Sequence, residues 1–152
     1  MKILLAIDGS RYGEVAARKL IHRVWPPGTE VLVLSVAHPF RVIVDPLGYA
    51  TAAYFEALRD EQERAARDVA RVADEIKQAH PSLQVSTRVL EGSPKEQILE
   101  EAERWGAELI MMGSHGRGPV GRFLLGSVAQ AVALHAPCSV EIVRSGRQTA
   151  TN

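Results

Sequence analysis

One cysteine, Cys138, in a chain of 152 residues excludes an internal disulfide, and no close Cys/His spacing suggests a structural zinc site. A reducing compartment, the cytoplasm, is the expected setting. Net charge is missing too: Lys plus Arg and Asp plus Glu both number 18, so no overall field draws the chain to nucleic acid or to an anionic membrane. No apolar run approaches the roughly 18 residues that a bilayer-spanning helix needs. The opening Met1 to Asp8 places one lysine before a short apolar run, without the longer apolar core and cleavage site of a signal peptide, and reads as a strand. Neither nucleic acid nor membrane is expected as a partner.

What is present is an ordinary folding balance, 46% hydrophobic and 24% charged, enough for one core and one domain. Runs of strand length and β-branched character lie at Ile3–Ile7, Val31–Val36, Val85–Leu90, Leu109–Met112 and Val140–Val143. Between them, apolar residues recur at helical spacing: Ala16, Leu20, Ile21 and Val24, then Leu58, Ala65, Val69, Val72 and Ile76. Arg59 to Arg71 is dense in charge of both signs and reads as a solvated helix face. A polar tail, 145–152, follows a domain of residues 1–144.

The third helix has the clearest ends. Ser93 is placed to cap it, Pro94 suits its first position, Glu96 completes a capping box, and Gly106 stops it after the stripe Ile98, Leu99, Ala102 and Trp105. Strand and helix alternating in this way need right-handed crossovers, which predicts an α/β, doubly wound, mainly parallel five-stranded sheet with helices on both faces. Such Rossmann-like sheets bind ligands beyond the carboxyl ends of their strands, where the strand order reverses.

Two segments break the pattern, Ala37–Ala50 and the glycine-rich Gly113–Ser127. The second reads Gly113, Ser114, His115, Gly116, nine residues, Gly126, Ser127. Glycine permits left-handed angles and leaves no side chain between main chain and ligand, so N–H groups at two such corners can converge on an anion. The helix expected from Val128, Val132 and Leu134 would add its free N–H groups and positive end, and Ser127 a hydroxyl. Charge-assisted hydrogen bonds of about 1.5–3 kcal/mol each make a large part of a micromolar affinity, about −8.2 kcal/mol. Asp8, at the end of the first strand, could accept hydrogen bonds from ribose hydroxyls or, with Ser10, cap the first helix.

These residues resemble the universal stress protein family, whose ATP-binding branch carries Gly, two residues, Gly, nine residues, Gly and Ser or Thr. The likeness extends through ILLAIDGS at Ile3–Ser10, LIMMGSHGRG at Leu109–Gly118 and GSVAQAVALHAPCSVEIVR at Gly126–Arg144, and covers Lys2 to Arg144. It implies strand order 3-2-1-4-5 and ATP, with Mg²⁺ on its phosphates, as ligand. By the same resemblance Asp8 and Gly113 stand at the ribose, Gly116, Arg117, Gly126, Ser127 and Val128 at the phosphates, and Ala6, Val36 and Met112 around the adenine. It implies a regulatory or stress-response role with at most slow hydrolysis, and a homodimer through the last strand, Val140–Val143. The chain departs from the family at Gly13, where serine is frequent, at Ser139, where proline is usual, and at Glu141, which puts a charge on the dimer strand. A second reading within the family is a dimeric stress or interaction protein that does not use nucleotide.

Other chemistries fit less of the chain. Gly116, Gly118 and Gly121 spell a dinucleotide fingerprint with Glu141 twenty residues beyond, but Gly126 would interrupt the helix it requires. Gly92-Ser93-Pro94-Lys95 lacks the order of a Walker loop. His115, without a placed carboxylate, reads as an exposed loop histidine, and Cys138 as a small buried side chain. No general base, and so no catalytic residue, is evident.

Overall fold

The computed structural model describes residues 1–38, 52–117 and 124–145. Most of the Ala37–Ala50 loop, the interior of the glycine segment with Gly118 and Gly121, and nearly all of the polar tail lie outside the described residues. Along the chain come β1 (Lys2–Ala6), α1 (Arg11–Ile21), β2 (Glu30–Ala37), α2 (Ala52–Ala79), β3 (Gln84–Glu91), α3 (Pro94–Trp105), β4 (Leu109–Gly113), α4 (Ser127–His135) and β5 (Ser139–Val143). The five strands form one parallel sheet in the order β3-β2-β1-β4-β5, as expected.

Period-2 alternation splits each central strand between two cores. Ile3, Leu5, Val31, Val33 and Met111 face α1 and α2, meeting Ala16, Leu20, Val69, Val72 and Ile76. Leu4, Ala6, Leu32, Leu34, Ile110 and Met112 face α3 and α4, meeting Ile98, Ala102, Ala129 and Val132. Both faces are covered, which is why these strands read as unbroken apolar runs rather than alternating ones. Cys138 packs against the second core, and burial pushes its thiol pKa up.

Two carboxylates among the apolar layers are neutralised in place. Glu101 of α3, 3% exposed, takes hydrogen bonds from Arg88 of β3 and Arg104, fastening α3 to the outer strand. Glu141 lies opposite Met111, on the α1 face, where both guanidinium nitrogens of Arg23 reach it at 2.8 and 2.9 Å and Lys19 at 3.6 Å. The Arg23 hydrogen bonds outweigh burial and lower its pKa.

Three local expectations need correction. Val24 lies beyond the end of α1 and is 91% exposed, because the helix stops at Ile21 with His22 as its cap. Leu134 is 71% exposed; α4 buries Ala129 and Val132 instead, one turn apart on the sheet side. Ser93 occupies the cap position of α3 with extended backbone, yet its side chain makes no cap bond, so the capping box with Glu96 is not formed. Pro94, with its fixed φ, starts that helix, and Gly106 ends it in the left-handed conformation at φ 72°.

Candidate functional site

β1 and β4 are neighbours from which the sheet is extended in opposite directions, so the crevice above their carboxyl ends is the switch point of the fold. Two turns meet there. After β1 the chain bends through Asp8, Gly9 and Ser10, with Gly9 at φ 75°. Asp8 Oδ1 accepts the Ser10 N–H at 3.0 Å, and Ser10, the N-cap of α1, accepts the Gly13 N–H on Oγ at 3.3 Å. The capping role considered for Asp8 and Ser10 is therefore present, and it uses one of the two carboxylate oxygens.

After β4 the glycine segment begins. The Ser114 N–H donates to the Val143 carbonyl at 2.9 Å, and the Gly126 N–H to the Ser114 carbonyl at 2.8 Å. The two glycine corners are thus tied together across the intervening residues. A side chain on Gly126 would stand 3.1 Å from His115 Cα and 3.7 Å from the Gly116 nitrogen. Gly126 is the N-cap of α4 and offers no side-chain cap, so the first turn of that helix, with Ser127 as its first residue, presents its amides beside Gly116.

The glycines work by close approach, not by unusual angles. Left-handed glycines among the described residues are Gly9, Gly28, Gly92 and Gly106; Gly113, Gly116 and Gly126 are not among them, contrary to expectation. A Cβ on Gly113 would lie 2.6 Å from both the carbonyl carbon and Cβ of Tyr12, and one on Gly116 would lie 2.9 Å from Asp8 Oδ2. Gly113 lets α1 pack against β4; Gly116 keeps clear the space before the aspartate.

A cavity of about 470 Å³ opens between these turns. All ten residues singled out from the sequence line it: Ala6, Asp8, Val36, Met112, Gly113, Gly116, Arg117, Gly126, Ser127 and Val128. Its lining combines apolar side chains, Ala6, Leu34, Val36, Ile98 and Met112, with the polar Asp8, His115, Arg117 and Ser127. A planar apolar group and a chain of anionic groups would each find a suited surface.

Sequence reasoning missed the wall that α3 supplies through Ser93, Pro94 and Lys95. The available signal was topological: α3 follows the carboxyl end of β3, on the same side of the sheet as the glycine corners. His115 also departs from the exposed loop histidine expected. It is half-buried against Tyr12, ring centroids 5.1 Å apart, with Nδ1 3.0 Å from Ser114 Oγ and a buried Nε2 that no protein group reaches among the described residues.

Arg117 lines the cavity, but its guanidinium is bound to the Glu61 carboxylate of α2 through both terminal nitrogens. Arg64 holds the same carboxylate through Nε at 3.2 Å and Nη2 at 2.6 Å. Burial alone would raise the pKa of Glu61, yet the hydrogen bonds and charges of Arg64 and Arg117 hold it at about 2, against an ordinary 4.5. Glu141 of the dinucleotide fingerprint is engaged by Arg23, away from the cavity.

A model of the Universal stress protein family matches residues 1–144. Universal stress protein MJ0531 of Methanocaldococcus jannaschii is 31% identical over 147 residues, 97% of this chain and 84% of its own length. A universal stress protein of Thermus aquaticus is 36% identical over 142 residues, 93% of this chain and 97% of its own. Among solved structures, hypothetical protein MJ0577 has a TM-score of 0.77 at 26% identity, covering 95% of this chain and 96% of that one. An Arabidopsis thaliana family protein with AMP bound has a TM-score of 0.61 at 17% identity, over 97% and 93% of the two chains. A universal stress protein in complex with cAMP has a TM-score of 0.61 at 19% identity, over 96% and 98%. These last two share the fold with this chain.

Proposed function

The chain belongs to the universal stress protein family, and from that premise we propose that it binds an adenine nucleotide, ATP, in the cavity between β1 and β4 and acts as a regulatory or stress-response protein in the cytoplasm. One observation carries the reading: the uncapped start of α4 and the Gly116 corner face the same cavity as the Asp8 carboxylate and the apolar side chains. Those three kinds of surface suit the phosphates, ribose and base of a nucleotide. The amides of the α4 start would hold phosphate, Asp8 Oδ2 a ribose hydroxyl, and Val36 and Met112 would lie against adenine. Solved universal stress proteins of the same fold carry AMP and cAMP, which supports an adenine nucleotide as the ligand class. Mg²⁺, where it accompanies ATP, would neutralise the phosphates; the reading assigns no residue as a general base.

Calorimetric titration of the parent and of Asp8→Asn tests this. The amide oxygen of asparagine can still accept the Ser10 N–H, so the turn survives while the charge facing the ribose is lost. The variant should bind ATP about tenfold more weakly, as loss of one charged hydrogen bond implies, and inorganic triphosphate equally well. Equal losses for both ligands would remove Asp8 from the ribose.

The homodimer goes with the same reading. β5 is an edge of the sheet, and Glu141 is held on the α1 face by Arg23, so its charge does not stand along that edge. Native mass spectrometry of freshly purified protein reads both the retained nucleotide and the number of subunits.

A further inference from the structure

Arg117 presents a conflict. It lines the cavity beside Gly116, where a polyphosphate would lie, yet its guanidinium is engaged by Glu61 from α2, fifty-six positions away in sequence. Glu61 itself is firmly placed. Arg64 grips it at 2.6 and 3.2 Å, and Arg64 is in turn fixed by Asp68 at 2.8 Å and by the Asp8 carbonyl at 3.4 Å. The Glu61 side chain is 13% exposed and that of Arg117 28%, so the arginine lies nearer water.

Departure of Arg117 would not strand a bare buried carboxylate. Arg64 remains bound to it, which removes the usual penalty for breaking a buried pair. A phosphate chain with several anionic oxygens offers a guanidinium a stronger partner than one carboxylate already shared between two arginines. The guanidinium is paired with α2, which packs on the opposite face of the sheet from α4. A single phosphate seated at that helix start can therefore leave Arg117 on Glu61, whereas a longer chain of phosphates reaches it.

We propose that Glu61 is a specificity-determining residue: it competes with the ligand for Arg117, so that the cavity gains this arginine only from ligands with several phosphates, at a cost that Glu61 sets. The inference rests on the nucleotide reading above and adds to it the residue that governs discrimination by phosphate number. Arg64 alone still lowers the pKa of Glu61, so the carboxylate stays ionised and competing throughout the neutral range.

The experiment is a double-mutant cycle of Glu61→Gln and Arg117→Gln, with Kd for ATP and AMP measured by calorimetry at one ionic strength on the full chain. Glu61→Gln should tighten ATP about fivefold and AMP less than about twofold; Arg117→Gln should weaken ATP about tenfold and spare AMP, magnitudes set by one charged hydrogen bond gained or lost. In the double variant the gain from Glu61→Gln should vanish. A gain that persists without Arg117 would mean plain charge repulsion and overturn the competition, as would a Glu61→Gln chain with an unchanged ATP-to-AMP ratio. A parent that binds neither nucleotide would sink the underlying functional reading and this inference with it, whereas a parent that binds both and fails only in the cycle sinks this inference alone. Thermal melts confirm that each variant is folded. Should Glu61→Gln not fold, the Arg117→Gln arm decides alone, since equal losses for ATP and AMP contradict the proposal.

Discussion

Gly113 and Gly116 lie three residues apart in one motif, and the structure gives them different tasks that alanine separates. A methyl on Gly113 would stand 2.6 Å from two Tyr12 atoms and 2.7 Å from the Tyr12 carbonyl oxygen. Two of those three atoms are main chain, in the first turn of a helix whose Ala16, Ala17 and Leu20 are buried against the sheet. Neither side can yield without moving α1 off β4. Overpacking of this kind costs about 1–3 kcal/mol, and backbone contact puts Gly113→Ala at the upper end, about 3 kcal/mol out of the 5–15 usual for a whole domain. At about 2–4 °C per kcal/mol for this chain length, the melting temperature should fall by roughly 6–12 °C. A methyl on Gly116 meets only Asp8 Oδ2, at 2.9 Å, the end of a side chain that can turn aside. Its stability cost should stay below about 1 kcal/mol. Differential scanning calorimetry of both variants, with urea midpoints as a second measure, reads the difference. If Gly113→Ala melts within about 2 °C of the parent, or below it by less than Gly116→Ala does, the division of labour between the two glycines is wrong.

Two further outcomes follow from the carboxylates. Glu61 is held at about 2 rather than 4.5, a folded value below the unfolded one, so its contribution is complete above pH 4.5 and is lost as pH falls toward 2. The full difference would be worth about 3 kcal/mol, and water around the partly exposed Arg117 reduces this to about 1–2 kcal/mol. Urea titrations at pH 7, 4.5 and 3 on the parent and Glu61→Gln measure it: the gap between the two chains should shrink between pH 4.5 and 3, and a constant gap would contradict the assignment. Glu101→Gln should destabilise by about 1–2 kcal/mol, because the buried position keeps its volume but loses the charge that two guanidiniums address. Arg104→Ala, with that guanidinium mostly in water and Arg88 still in place, should change stability by less than about 0.5 kcal/mol; a larger loss at Arg104 than at Glu101 would reverse the ranking.

Much of this molecule was legible in its sequence, for reasons that differ by element. The five strands announce themselves because a doubly covered parallel sheet requires apolar residues at every position, and Ile3–Ile7 or Val31–Val36 can serve no other packing. The glycine spacing pointed to the two corners and Asp8 to the opposite wall, while the family resemblance named the ten residues, and all ten line one cavity. What each glycine avoids was not legible, because the obstructing atoms belong to Tyr12 and Asp8, about a hundred residues earlier. The charged stretch Arg59–Arg71 read as a solvated face, and Arg59 with Glu63 or Arg64 with Asp68 are indeed pairs at helical spacing. Contacts that leave the helix are another matter, as at Arg71, which meets Glu14 of α1, and at Glu61. Its second partner, Arg117, arrives from a distant loop, and no periodicity within a helix encodes that meeting.

A chain with no net charge can still hold a polyanion if its positive groups are placed and muted rather than abundant. Among the described residues lining the cavity, Lys95 and Arg117 are cationic and Asp8 is anionic, while Glu61 just outside offsets Arg117. A further positive contribution comes from the start of α4, a partial charge that fades within the first turn. Such an arrangement projects little field beyond the protein surface and does little to steer anions from a distance. On the proposed reading, recognition is then short-ranged, made by amides and a carboxylate that act only once a ligand is seated. On that reading, selectivity for a nucleotide over other anions would follow from that shortness of range: sulfate or a free phosphate would find the helix start but neither the aspartate nor the apolar residues.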